Sequence, residues 1–191
     1  MDNVLRARWP SSSGDKAGPY RDDSRFPIPD RAILRSEITM DPICHTLVGA
    51  NLAETGLKSR TALGTATLVI AANAPDIDVF SYSGGPYAAL ACRRGVTHGV
   101  LAWIVLPVVI TGLILVWDRL VRRRGRRTPP HPVLPKQIFL LALAGVLTHP
   151  VLDLLNTYGI RLLMPFSGHW FYGDTLFIAD PWVWGVLALG F

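Results

Sequence analysis

At 191 residues the chain is long enough for one domain, and half of it is apolar while only 17% is charged, against about 25% in soluble domains. The net charge of +5 comes from basic residues in an inter-helix loop and the N-terminal tail without interleaved aromatics, which argues against nucleic acid as a partner. Cys44 and Cys92 lack zinc-ribbon or redox spacing, which argues against a disulfide framework or thiolate metal site and leaves two free structural thiols.

Residues 1–39 are polar and rich in Pro, Gly and Ser, with no sustained period, and are expected to be disordered. They lack the apolar stretch of a signal peptide. Met40 directly precedes Asp41-Pro42 and the first periodic apolar stretch, so it is expected to be the translation start, with the preceding residues an over-extended reading frame. Residues 40–191 then form the membrane-embedded domain.

Two short apolar segments follow, Ile43–Glu54 and Thr61–Ala74, separated by a turn carrying Lys58 and Arg60. At about 14 residues, or ~21 Å as a helix, they suit a hairpin dipping into the membrane or thin, shielded spans. Val100–Trp117 is 18 residues without a charge, close to the ~20 needed to cross a bilayer. It runs directly into Arg119 and the RRRGRR cluster, an end expected to face the cytoplasm. Gln137–Asn156 returns from that loop. After a further loop, Pro181 opens an apolar run too short to span, so the domain reads as C-terminally truncated. The expected fold is all-α, a polytopic membrane bundle of antiparallel helices with a disordered N-terminal segment.

Laid antiparallel, these helices bring His45, Asp76, Asp78, His98, His149 and Asp153 to one face, with the basic loops at the other. If the basic loops are cytoplasmic, that polar face is extracytoplasmic in a bacterial inner membrane. Asp76 and Asp78 are costly at an apolar helix end unless solvated, paired or coordinated. His149 and Asp153 stand i, i+4 on one helical face, which Asn156 and Thr157 extend, and Pro150 is expected to kink that helix. Arg94 can pair with a carboxylate or steady an anionic intermediate, while an interfacial arginine is the plainer reading. His169 and Asp174 are weaker loop candidates, and His131 reads as solvated. A His/Asp set of this kind suits a divalent metal, zinc first, manganese or iron second. With an open position it would activate water, a spare carboxylate (Asp76 or Asp153) serving as base.

The stretches MDPICHTLVGA, NAPDID, RRGVTHG and LTHPVLDLLNTYG, with the later PF and ADPW, resemble the YdjM-like family of membrane-bound, metal-dependent, LexA-regulated hydrolases over essentially residue 40 to the end. The resemblance implies His45, Asp76, Asp78, His98, His149 and Asp153 as the polar site. Two departures stand out, Arg93 where the family commonly has histidine and Gly99 where it has serine. The leading expectation is a metal-dependent hydrolase acting on a small-molecule or lipid-like substrate such as a phosphoester, with membrane lipid as its surroundings. The alternative is a non-catalytic membrane protein whose polar cluster conducts ions or protons or serves as a structural metal clasp.

Overall fold

The apolar runs fold as helices. The computed structural model describes residues 31–124, 131–156, 158–176 and 180–190. In chain order these hold α1 (Arg31–Glu54), a 3₁₀ turn (Leu57–Arg60), α2 (Gly64–Asn73), a 3₁₀ stretch (Ala74–Gly84), α3 (Pro86–Cys92), α4 (Ala102–Trp117) prolonged by a π turn (Asp118–Arg122), α5 (Pro135–Leu155) and α6 (Pro181–Leu189). The all-helical expectation holds for the described residues, whose extended pairing is limited to two isolated bridges. Residues 1–30 of the expected disordered segment, Thr157 and the arginines at 126 and 127 lie outside them.

Residues 31–39, expected to be disordered, are helical instead. Ala32, Leu34, Arg35 and Glu37 are good helix formers, and extending an existing helix costs less than nucleating one. Asp41-Pro42 therefore lies inside α1, which runs through Pro42, and His45 sits midway along the helix rather than at its start. α5 likewise runs through Pro150 unbroken. The short α3 has no counterpart among the expected elements.

α2 packs between α1 and α5, α4 packs on α5, and α6 packs on α1. Ala71, Ile110, Ile114, Ile138, Ala142 and Val146 form the core where α2, α4 and α5 meet. Gly145 permits the tightest approach: a Cβ there would lie 2.7 Å from Ala71 Cβ and 2.9 Å from the Leu68 carbonyl. Small residues let helix backbones come close in this way. Gly145→Leu is therefore expected to cost about 1–3 kcal/mol through overpacking. Thermal unfolding in detergent checks this, and an unchanged midpoint would show that α2 and α5 do not press together at this point.

Ala102–Arg122 and Pro135–Leu155 are each 21 residues long, with mean hydropathy of 2.1 and 2.0. At ~1.5 Å per residue each covers about 31 Å, the depth of a bilayer's hydrocarbon core. α4 leaves Ile104, Val108 and Leu113 exposed, Ile104 by 68%, an apolar surface that suits lipid better than water. α2, at ten residues, covers only about 15 Å.

The loop after α5 closes over the end of the bundle. The Val100 amide donates to the Leu162 carbonyl at 3.0 Å and the Arg161 amide to the Arg94 carbonyl at 3.0 Å. The Arg161 guanidinium donates to the carbonyls of Ala91 and Arg93. This explains Gly99: a Cβ there would meet the Met164 carbonyl at 2.4 Å. A serine would push the loop away, so glycine is matched to the loop's close approach.

Candidate metal centre

The six expected polar residues arrive on four parts of the fold. α1 carries His45, and the 3₁₀ stretch that ends α2 carries Asp76 and Asp78. His98 precedes α4 by one turn, and the last two turns of α5 carry His149 and Asp153. All six side chains converge and are buried or nearly so, with His98 and His149 having no exposed surface. The basic turns at Leu57–Arg60 and Asp118–Arg122 occupy the opposite ends of the same helices.

The histidine tautomers follow from their neighbours. His149 Nδ1 lies 2.6 Å from the Ala72 carbonyl, which can only accept, so Nδ1 carries a proton and Nε2 is the nitrogen turned to the cluster. His98 Nδ1 lies 3.0 Å from Thr97 Oγ1 and 3.4 Å from Asp78 Oδ2. The carboxylate again only accepts, which favours the proton on Nδ1 and turns Nε2 to the cluster as an acceptor. Burial pushes the His98 imidazole below its ordinary value, which keeps it neutral.

These two Nε2 atoms stand 3.1 Å apart, so a proton or a cation must lie between them. Asp153 Oδ2 completes a triangle at 3.2 Å from His98 Nε2 and 3.5 Å from His149 Nε2. Asp76 Oδ1 lies 3.8 and 3.7 Å from the same two nitrogens. Donors at ~2.0–2.1 Å around a tetrahedral ion are about 3.3 Å from one another, so the spacing is that of a coordination shell. His45 stacks on His149 with ring centroids 3.7 Å apart and places Nε2 3.5 Å from Asp153 Oδ1.

Charge and unpaired atoms agree with this geometry. Three carboxylates (Asp76, Asp78 and Asp153) face two guanidinium groups (Arg93 and Arg94) in a buried pocket with three imidazoles, so one further positive charge, an imidazolium or a metal ion, balances the site. Asp76 Oδ2, Asp153 Oδ2 and His45 Nδ1 are buried without a hydrogen-bond partner, a costly condition for polar atoms. A cation relieves both faults. His45, His149 and Asp153, and likewise Asp76, His98 and His149, form groups that can hold a metal ion, with donor atoms within 4.8 Å of one another.

Asp78 differs from the other five. Its Oδ1 accepts from Arg93 Nη1 at 2.6 Å, and its Oδ2 accepts from the Arg94 amide at 2.6 Å and from Thr97 Oγ1 at 3.3 Å. Both oxygens are engaged, and it belongs to neither metal-holding group. Arg94 is also buried, donating from Nη1 to Asn156 Oδ1 at 3.0 Å and to the Gly159 carbonyl at 3.1 Å. Its Nη2 lies 3.4 Å from Asp153 Oδ1, and the guanidinium stacks on Tyr158.

A family model for the YdjM inner membrane protein matches residues 40–191. The chain belongs to the YdjM inner membrane protein family. No curated protein and no solved structure matches it. For this YdjM-family chain the matched region takes in every residue of the cluster, Met40 standing at its first position.

Arg93 and Asn156 emerge as site residues that sequence reasoning undervalued. Arg93 Nη1 bridges Asp76 Oδ1 at 2.8 Å and Asp78 Oδ1 at 2.6 Å. Burial opposes the Arg93 charge, but the two aspartates outweigh it and raise its pKa. Burial likewise raises the Asp76 carboxyl, yet His149 and Arg93 hold it below its ordinary value. The only signal in the sequence was a tandem arginine five residues before His98. His169 and Asp174 do not join the cluster. His169 is exposed with its ring against Phe171, and Asp174 is exposed in the loop. His131, expected to be solvated, is exposed.

Proposed function

We propose that this YdjM-family protein is a membrane-embedded, metal-dependent hydrolase whose ion is held by His45, Asp76, His98, His149 and Asp153. Zinc suits this nitrogen and oxygen donor set best, with manganese or iron as alternatives. The observation that carries this reading is the convergence of His98 Nε2, His149 Nε2 and Asp153 Oδ2 at 3.1–3.5 Å from one another, the spacing of donors around one ion.

A divalent ion bound there supplies Lewis acidity and lowers the pKa of water towards neutrality. Among the cluster's carboxylates Asp76 has the most exposed side chain (11%), and its Oδ2 lacks a partner. Asp76 is therefore the group that accepts the proton of an incoming water. Asp78 and Thr97 fix the His98 ring, and the Ala72 carbonyl fixes that of His149. Such partners orient ligands and tune their basicity. Arg94 and Asn156 hold Asp153, so Arg94 acts as a positioning residue rather than as a free clamp for an anionic intermediate. The substrate class that fits a site beside the bilayer is a phosphoester or a lipid-like ester. With the basic turns on the cytoplasmic side, the helices cross the inner membrane several times and the centre opens to the extracytoplasmic face.

Metal analysis of the purified protein, followed by an esterase and phosphodiesterase panel, tests the reading. The expected result is stoichiometric metal and turnover that falls by about 10²–10⁴ in Asp76→Asn, the range for loss of a general base, with most of the metal retained. Protein without metal, or an Asp76→Asn variant as active as the parent, overturns it. The complete burial of His98 and His149 favours one rival, a structural ion that clasps the helices. That rival predicts bound metal and unfolding on chelation without turnover.

A further inference from the structure

Two open cavities among the described residues lie away from the metal centre, at the opposite end of the helices, and they adjoin. The first, about 710 Å³, is mixed in character, with Lys58, Ser59, Arg60, Thr65 and His131 beside Leu63, Ala66 and Leu134 in its lining. It surrounds the start of α2, whose first turn has no side-chain cap and whose Gly64 amide donates to the Thr61 carbonyl. The second, about 570 Å³, is lined only by apolar residues of α2 and of α4 with its π turn, including Ile70, Leu113, Trp117 and Leu120. Leu63 and Ala66 line both.

We infer that these adjoining cavities form a binding site for one anionic phospholipid, with the phosphate headgroup at Lys58 and Arg60 and an acyl chain along the α2–α4 groove. The dimensions agree. The groove's α4 wall, from Ile110 to Val121, rises about 16 Å, close to the ~15 Å depth of one leaflet's hydrocarbon. The groove's large side chains face outward, Leu113 65%, Trp117 57% and Ile70 51% exposed, as lipid-facing residues are.

The charge agrees as well. Lys58 pairs with Glu54, while Arg60 adds a second exposed cation at the rim. Arg122 ties the rim together, holding Asp118 with its Nε and donating from Nη2 to the His131 carbonyl at 3.0 Å. A pocket with a basic rim, continuous with an apolar groove, matches an amphiphile of opposite charge. A soluble phosphate would leave the groove bare. A second copy of the chain would bring basic rim against basic rim.

The full-length protein in a neutral detergent, titrated with phosphatidylglycerol or phosphatidylcholine and followed by native mass spectrometry, tests this. Phosphatidylglycerol is expected to occupy one site, with phosphatidylcholine far weaker. The Lys58→Gln/Arg60→Gln double variant should bind about thirtyfold more weakly, from the typical contribution of two basic residues near a lipid surface. Ala66→Trp, which fills the junction between the cavities, should remove binding. All three positions are exposed, so metal content should not change, which checks that the variants fold. Equal binding of the two lipids, an Ala66→Trp protein that binds like the parent, or displacement by millimolar inorganic phosphate would overturn the inference, the last showing an ion site without a lipid. None of these outcomes depends on whether the metal centre is catalytic.

Discussion

His149→Ala is expected to purify with less than about a tenth of the parent's metal and to bind added zinc more than a hundredfold more weakly. Loss of a residue that merely orients a ligand costs about 10–100-fold in affinity, and His149 is a donor itself. It belongs to both groups of residues able to hold an ion, so neither survives intact without it. Its ring also fills space, stacked on His45 and edge-on to His98, and alanine leaves a void there. His149→Gln keeps most of that volume and separates the two effects. If metal loss reflects coordination, both variants lose the ion while circular dichroism shows the helices intact. His131→Ala, at an exposed position far from the cluster, should keep its metal. Full metal content in His149→Ala would remove the centre from consideration.

The convergence of six scattered residues was legible because it depends on topology alone. Once apolar runs of helical length alternate with basic turns, polar groups at every second turn must share an end. The i, i+4 spacing of His149 and Asp153 needed only helical periodicity. What stayed hidden depends on contacts between elements. Arg93 and the two aspartates are 15–17 residues apart on different elements, and nothing in the spacing says that one guanidinium will bridge both carboxylates. For the same reason Asp78 read as a ligand, although its oxygens are taken by Arg93, the Arg94 amide and Thr97. Gly99 looked like a loss when set beside a family pattern, and only the path of the loop at Met164 shows why glycine stands there. Residues 31–39 were misjudged because composition counts Pro, Gly and Ser over the whole tail, whereas helix extension depends on the few residues next to an existing helix.

Arg93→Met should destabilise the protein by about 3–5 kcal/mol, the usual cost of removing one partner from a buried ion pair. Arg93 is only 7% exposed, and its Nη1 lies within hydrogen-bond distance of both Asp76 and Asp78. Methionine roughly matches its volume, so the loss measured is charge rather than packing. Two carboxylates would then lose the guanidinium that bridges them, and the neighbouring Arg94 is itself committed to Asn156, Gly159 and Asp153. Adding Asp78→Asn removes one of the stranded charges, and the double variant should recover a substantial part of the stability. Asp78→Asn alone should also be destabilised, so the cycle gives a coupling energy of about 0.5–3 kcal/mol. Unfolding in mixed micelles supplies the free energies. The sign of the coupling is decisive. If the two losses add without interaction, Arg93 does not hold the aspartates, and the charge balance of the site would have to be recounted.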